Sequence, residues 1–254
     1  MAGDGTQVGG RRDVLVLGPP RSGTSMLAGL LAHSGWAVNG DLLPPTPANP
    51  RGFFESSAVN TLNDDLLEPH LARSAVPVAR RHAWLAALPA PLDLTPSPAV
   101  RTRIAETVPP SPFVVKDPRL TMTLPAWVDA LDGVALIAIV RHPAAVVDSL
   151  LREVARDVEY YEGLALDAER AFVVWQCLAD HLIAHAEAHD ITVLVHEELV
   201  SDGIRSALGR LATAVGGGID SGFVERGLRR STPDRALPGD VAERHAALLD
   251  LAVR

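Results

Sequence analysis

The stretch Val14-Leu-Val-Leu-Gly-Pro-Pro-Arg-Ser-Gly-Thr-Ser25 decides the fold class of this 254-residue chain. Its leading apolar residues, Val14–Leu17, predict a short buried strand, and the apolar spacing after the turn predicts a helix that ends near His33. Such a turn points successive backbone N–H groups at one place, at the positive end of the helix dipole. The turn therefore predicts an anion site, to which four side chains add donors: Arg21, Ser22, Thr24 and Ser25.

The same turn departs in one residue from the phosphate loop of nucleoside triphosphatases. That loop reads G-x-x-x-x-G-K-[ST], and Thr24 stands at the position of its lysine. Because a triphosphate needs this lysine on its outer phosphates together with a Mg²⁺ site, its loss favours a single phosphate. A purely structural corner without a ligand is the alternative that the pattern favours less.

Further apolar runs alternate with helical patterns along the chain. Strands are predicted at residues 113–116, 134–141 and 191–195, and helices at residues 100–108 and 167–189. This alternation is typical of α/β proteins, so we predict a single domain with a central parallel sheet flanked by helices.

No repeat or domain boundary interrupts this order. We expect a flexible N-terminus at residues 1–12 and the domain at residues 13–254. Residues 39–112 are expected to form an insertion of helices and loops over one end of the sheet.

Cations follow the predicted strands at the edge where parallel sheets bind ligands. Lys116 ends the second strand and Arg141 the third, so with Arg21 three strand ends carry a positive charge. Ser149 lies off the apolar face of the helix after Arg141 and could join it at a second anion. Asp117, which precedes Pro118, is interpreted as the N-cap of the helix that follows the second strand.

Composition excludes several classes of function. The net charge of −8 argues against a generic nucleic-acid surface. The single cysteine, Cys177, excludes an internal disulfide framework, and no apolar run has the length of a signal peptide or a membrane span. The expectation is a cytoplasmic protein. Among 23 basic residues Lys116 is the single lysine, so a local reason for its compact charge, or chance, has to explain it.

These motifs together resemble a family. Gly18-Pro-Pro-Arg-Ser-Gly-Thr-Ser, Lys116-Asp-Pro-Arg and Arg141-His-Pro…Ser149 are similar, in this order, to bacterial sulfotransferases that use 3′-phosphoadenosine 5′-phosphosulfate (PAPS). The Lys-Asp-Pro element is shared with tyrosylprotein sulfotransferases. The resemblance spans roughly residues 13–200, including His196-Glu-Glu-Leu, and implies a P-loop-like sulfotransferase fold.

The resemblance also implies roles for individual residues. It would place the 5′-phosphosulfate on Arg21, Ser22, Gly23, Thr24 and Ser25, and the 3′-phosphate on Arg141 and Ser149. The Gly-x-x-Gly-x-x-Lys element of cytosolic steroid and phenol sulfotransferases is missing. Arg229 and Arg230 are the candidates for the contacts that it would otherwise make.

Sulfuryl transfer to a hydroxyl needs a base beside the acceptor. Glu55, after a turn and two aromatic residues, fits a carboxyl with a raised pKa at the edge of an apolar pocket. The alternatives are that Glu55 only caps the next helix, or that His70, His82 or His142 is the base.

No set of residues has the spacing of metal ligands, so no metal is expected. His181, His185 and His189 recur every fourth residue on a predicted helix, and a solvated face explains them better than a ligand stripe.

The resulting hypothesis is a PAPS-dependent O-sulfotransferase that releases 3′-phosphoadenosine 5′-phosphate (PAP). Glu55 would act as base, with Lys116 and Arg21 as catalytic cations. The acceptor would be a small molecule or carbohydrate with a hydroxyl, and neither nucleic acid nor a membrane is an expected partner. A P-loop kinase acting on a small hydroxylated substrate and a non-catalytic nucleotide-binding protein are the alternatives.

Overall fold

The computed structural model describes residues 10–46, 49–224 and 235–253. Its centre is a sheet of four parallel strands in the order β2-β1-β3-β4. The strands are β1 (Val14–Leu17), β2 (Val114–Lys116), β3 (Ala135–Val140) and β4 (Ile191–Val195). All four lie within one residue of the predicted bounds, and the predicted α/β class with a central parallel sheet is confirmed.

Nine α-helices surround the sheet in the described part of the chain. They are α1 (Thr24–His33), α2 (Ser57–Leu67), α3 (Pro98–Thr107), α4 (Leu120–Ala130), α5 (Pro143–Arg156), α6 (Ala168–Ala188), α7 (His196–Leu199), α8 (Ile204–Val215) and α9 (Gly239–Ala252). Short 3₁₀ helices lie at Glu68–Arg73, Arg80–Leu85 and Ser221–Phe223. Side-chain oxygens of Ser56, Ser97 and Asp167 accept hydrogen bonds from the first turns of α2, α3 and α6, which explains why these helices begin there.

The alternation of side chains along each strand builds two cores. Val14 and Val16 face one cluster, formed with α1 and α8, while Leu15 and Leu17 face the other, formed with α4, α5, α6 and α9. Because both faces are covered, every strand residue of β1 and β3 is buried. Unbroken apolar runs are the consequence of this burial.

The strand order fixes where a ligand can bind. From β1 the chain first adds β2 on one side and then β3 on the other, so the order reverses next to β1. Open parallel sheets bind ligands at the carboxyl ends of the strands where the order reverses. Here this point lies between Leu17, Lys116 and Val140, which end the three strands.

The prediction that the spaced histidines of α6 face solvent is wrong. His181 and His185 are buried on α6, and their Nε2 atoms contact the carbonyl oxygens of Leu88 at 3.2 Å and of Thr121 at 2.9 Å. Helix α6 packs against α4, α5 and α9, so the side of the helix that carries His181 and His185 contacts protein rather than water.

Two further observations concern the predicted organisation. Arg12, in the segment expected to be flexible, donates from its guanidinium to the carbonyl oxygens of Gly133, Ala214 and Val134. None of the helices within the described ranges combines the length and the apolar character that a membrane crossing requires.

Candidate active site

A cavity of about 430 Å³ opens at the carboxyl ends of the strands. Most of the residues singled out from the sequence line it, namely Arg21, Gly23, Thr24, Ser25, Glu55, Lys116, Arg141 and Ser149. Ser22 is fully buried in the same loop. Arg229 and Arg230 lie outside the described residues, so their predicted role stays a prediction.

At two positions in the loop after β1, the backbone conformation and the close packing allow only glycine. Gly18 has a φ of 140°, and a Cβ there would lie 2.4 Å from the carbonyl oxygen of Ile139. Gly23 has a φ of 99° where α1 begins, and a Cβ there would lie 2.7 Å from His196. The loop is thus packed tightly against the ends of β3 and β4.

Arg21 connects the loop to the neighbouring elements. Its Nε donates to the Oγ of Ser149 at 3.1 Å, and its carbonyl oxygen accepts from Arg141 at 3.1 Å. One Nη lies 3.9 Å from an Oε of Glu153. Arg21 itself has a φ of 66°, a left-handed conformation that costs a side-chain-bearing residue about 1–3 kcal/mol and that clusters at ligand sites.

Glu55 and Lys116 form a buried ion pair at the base of the cavity. The ammonium donates to Oε1 of Glu55, and the two residues are 7% and 4% exposed. Burial raises the pKa of Glu55, while the charge of Lys116 opposes the rise. The backbone of the preceding Phe54 is also left-handed, with a φ of 55°. The alternative that Glu55 caps α2 is wrong, because the Oγ of Ser56 accepts from the first turn of that helix.

A second charged layer lies beside this pair. Arg119 is 5% exposed and donates to Asp64 at 2.5 Å and to Asp117 at 3.2 Å. Oδ1 of Asp117 accepts from the backbone N–H of Arg119 at 2.6 Å, so it closes the turn before α4 rather than capping the helix itself, which begins at Leu120. The sequence-based interpretation of Asp117 as the helix cap is corrected accordingly.

The histidines named as alternative bases do not line the cavity. His70 lies in the 3₁₀ helix Glu68–Arg73, and His82 is buried with its ring stacked on Tyr161. His142 lies against His245. The histidine that does line the cavity is His196, at the end of β4.

Part of the cavity lining was not predicted from the sequence. It consists of Trp84, Tyr160 and Tyr161 with the carboxylates of Glu153 and Asp157. Two features of the sequence could have indicated these residues. Glu153 lies one helical turn after Ser149 and so shares its side of α5, and the adjacent tyrosines are the only two in the chain.

The donor set fits a phosphate ester. The first turn of α1 offers N–H groups without intrahelical acceptors, and the buried hydroxyl of Ser22 has no hydrogen-bond partner among the described residues. The cations of Arg21, Lys116 and Arg141 line the same cavity. Within the described residues, no group of His, Cys, Asp and Glu is arranged to hold a metal ion.

A sequence model of the sulfotransferase family matches residues 13–214. No curated protein matches the chain.

Two solved structures share the fold. The sulfotransferase domain from the curacin biosynthetic pathway is 16% identical, has a TM-score of 0.53 and matches over 94% of this chain and 98% of its own. A sulfotransferase from Alicyclobacillus acidocaldarius is 16% identical, has a TM-score of 0.51 and matches over 97% of each chain. Because the family match extends over well more than half of the residues, this chain belongs to the sulfotransferase family.

Proposed function

We propose that this chain transfers the sulfuryl group of PAPS to a hydroxyl of a small-molecule or carbohydrate acceptor. The observation that carries the proposal is the convergence of Arg21, Lys116 and Arg141 with Glu55 on one cavity. Three cations suit a donor with several negative charges, and a buried carboxylate among them suits the removal of a proton.

Two ends of the cavity would hold the donor. The loop after β1, with Arg21, Ser22, Gly23, Thr24 and Ser25, would bind the 5′-phosphosulfate through N–H groups, hydroxyls and the guanidinium. Arg141 and Ser149 would bind the 3′-phosphate from the other side of Arg21, which contacts both.

The chemistry rests on the pair of Glu55 and Lys116. PAPS supplies a sulfuryl group whose bond to the phosphate oxygen breaks as the bond to the acceptor oxygen forms. Glu55 accepts the proton of the acceptor hydroxyl, and Lys116 and Arg21 hold the charge that develops on the sulfonate and on the departing phosphate. When Lys116 turns toward that phosphate, Glu55 loses its cation in a buried place, so its pKa rises and it becomes a stronger base.

The donor assignment is tested by calorimetric titration of the protein with PAP and with ATP plus Mg²⁺. We expect PAP to bind and ATP to bind at least about tenfold more weakly, because the loop lacks the lysine that triphosphates require. Tighter binding of ATP with Mg²⁺ would favour a kinase. No binding of PAP would contradict the proposed donor.

A further inference from the structure

One part of the cavity lining is chemically unlike the loop after β1. The rings of Trp84 and Tyr161 are 6.3 Å apart, and those of Tyr160 and Tyr161 are 4.8 Å apart. The hydroxyl of Tyr160 donates to the carbonyl of Arg81 at 2.8 Å and accepts from Trp84 at 3.3 Å, so the rings are held in place before any ligand arrives. We call Trp84, Tyr160 and Tyr161 the aromatic wall.

Two carboxylates adjoin the aromatic wall. Oε2 of Glu153 is buried, and no donor of the described residues makes a hydrogen bond to it; its nearest cation is Arg21 at 3.9 Å. Asp157 accepts from the backbone N–H of Tyr160 at 3.1 Å and makes no ion pair within the described residues. Glu153 thus has one long ion pair, with Arg21, and Asp157 is exposed to solvent.

Tyr161 adds an independent observation. The residue is 7% exposed, lines the cavity, and its hydroxyl makes no hydrogen bond to any described residue. The hydroxyl itself is not buried, so it can bond to water or to a polar group of a ligand in the cavity. Burial and the charge of Glu153 both raise the pKa of Tyr161, in agreement with a neutral phenol beside a carboxylate.

Donor binding would weaken the ion pair between Arg21 and Glu153. Arg21 is the cation that Glu153 shares with the predicted phosphosulfate site, and a phosphosulfate attracts a guanidinium more strongly than a carboxylate at 3.9 Å does. With Arg21 engaged, the buried oxygen of Glu153 would lack a cation, and the exposed carboxylate of Asp157 lines the same cavity. An alkylammonium has three N–H donors, suits the acceptor oxygens of these two carboxylates and of Tyr161, and is attracted to aromatic faces.

We propose that the acceptor carries a protonated amine besides its hydroxyl, with the amine bound by Glu153, Asp157 and the aromatic wall. This inference rests on the proposed function, since it assigns a second group of the acceptor that the same cavity would hold. It narrows the acceptor class to amino alcohols, aminophenols and amino sugars.

The test is calorimetric titration with three matched phenols, in the presence and absence of saturating PAP. Tyramine carries an ammonium, 4-ethylphenol has no charge, and 4-hydroxyphenylacetate carries a carboxylate. We expect tyramine to bind at least about tenfold more tightly than 4-ethylphenol, and 4-hydroxyphenylacetate to bind most weakly. The preference for tyramine should be larger with PAP bound.

Two variants and one control locate the effect. Glu153→Gln and Asp157→Asn should each remove most of the preference for tyramine. Glu159→Gln changes an exposed acid of the same loop that does not line the cavity, and should leave the preference intact.

Equal binding of tyramine and 4-ethylphenol, tighter binding of either other phenol, or binding of none would contradict the proposal. A protein that binds PAP without an amine preference refutes the amine site alone. A protein that prefers tyramine but does not bind PAP refutes the proposed donor and keeps the amine site.

Discussion

At the scale of single residues, the buried pair of Glu55 and Lys116 combines two requirements that oppose each other. A base must be ionised before it can accept a proton, and burial disfavours that ionised form. The charge of Lys116 opposes the rise that burial causes in the pKa of Glu55, and the 4% exposure of Lys116 keeps water from competing for the pair.

Glu55→Gln keeps the shape of the side chain and its reach to Lys116, but the amide cannot accept a proton. We expect the rate of sulfuryl transfer to fall by about 10²–10⁴-fold. PAP affinity, measured by calorimetry, should change little, because Glu55 is not among the predicted ligands of the nucleotide. Wild-type turnover by this variant would contradict Glu55 as base and make His196 the first candidate to replace it.

Lys116→Arg tests why the single lysine of the chain stands at this position. The ammonium is a compact charge at the bottom of the cavity, whereas a guanidinium is larger and spreads its charge over a plane. We expect Lys116→Ala to lower kcat by about 10²–10³-fold and Lys116→Arg to recover only part of that loss. Circular dichroism should show that both variants fold. A nearly silent Lys116→Arg would mean that the lysine persists by chance.

At the scale of elements, the buried histidines of helix α6 should make the free energy of unfolding depend on pH. Burial lowers the pKa of His181 to about 4 and also lowers the pKa of His185. Both are therefore neutral in the folded protein at neutral pH. An unfolded histidine has a pKa near about 6.5, so the unfolded chain binds more protons at mildly acid pH.

The free energy of unfolding should consequently fall as the pH drops from 7.5 to 5, by about 2 kcal/mol from His181 alone. Urea unfolding at both pH values measures this change. His181→Gln should shrink the difference between the two pH values. An equal pH dependence in wild type and His181→Gln would contradict the burial of a neutral His181.

The elements themselves were largely readable from the sequence. Strands β1 and β3 are short and buried at every residue, and such strands consist of unbroken apolar runs, which explains why the sequence predicts them to within one residue. The histidine stripe on α6 was misjudged because polar residues every fourth position look the same whether they face water or backbone carbonyls. A sequence shows the period of a helix but not what packs on each side.

Apart from Glu55, the cavity residues that the sequence indicated lie in or near the segments that follow the strands. Gly18, Lys116 and Arg141 stand at strand ends, and parallel strands bring their carboxyl ends to one edge. Trp84 lies in a short 3₁₀ helix and Tyr160 in the loop after α5, 76 residues later, and only tertiary packing brings them together. No local sequence pattern predicts such a contact.

At the scale of the whole molecule, the fold divides the cavity between two sources. The sheet and the helices after β1 and β3 supply the predicted donor ligands. The segment 39–112 and the loop after α5 supply Glu55 and the aromatic wall. A division of this kind would let the acceptor change while the donor site is kept, because loops tolerate substitution better than buried strands.

The central claim is that this cavity recognises a nucleotide with both a 5′- and a 3′-phosphate. Calorimetric titration with PAP and with AMP tests it most directly, because the two ligands differ only in the 3′-phosphate assigned to Arg141 and Ser149. Arg141→Ala tests the assignment within the same titration, and Arg152→Ala is its matched control, an exposed arginine on α5 that does not line the cavity.

A charge-assisted contact contributes about 1.5–3 kcal/mol, so wild-type protein should prefer PAP over AMP by more than about tenfold. Arg141→Ala should lose most of this preference with AMP binding nearly unchanged, and Arg152→Ala should keep it. Equal affinity of the wild-type protein for PAP and AMP would contradict the account.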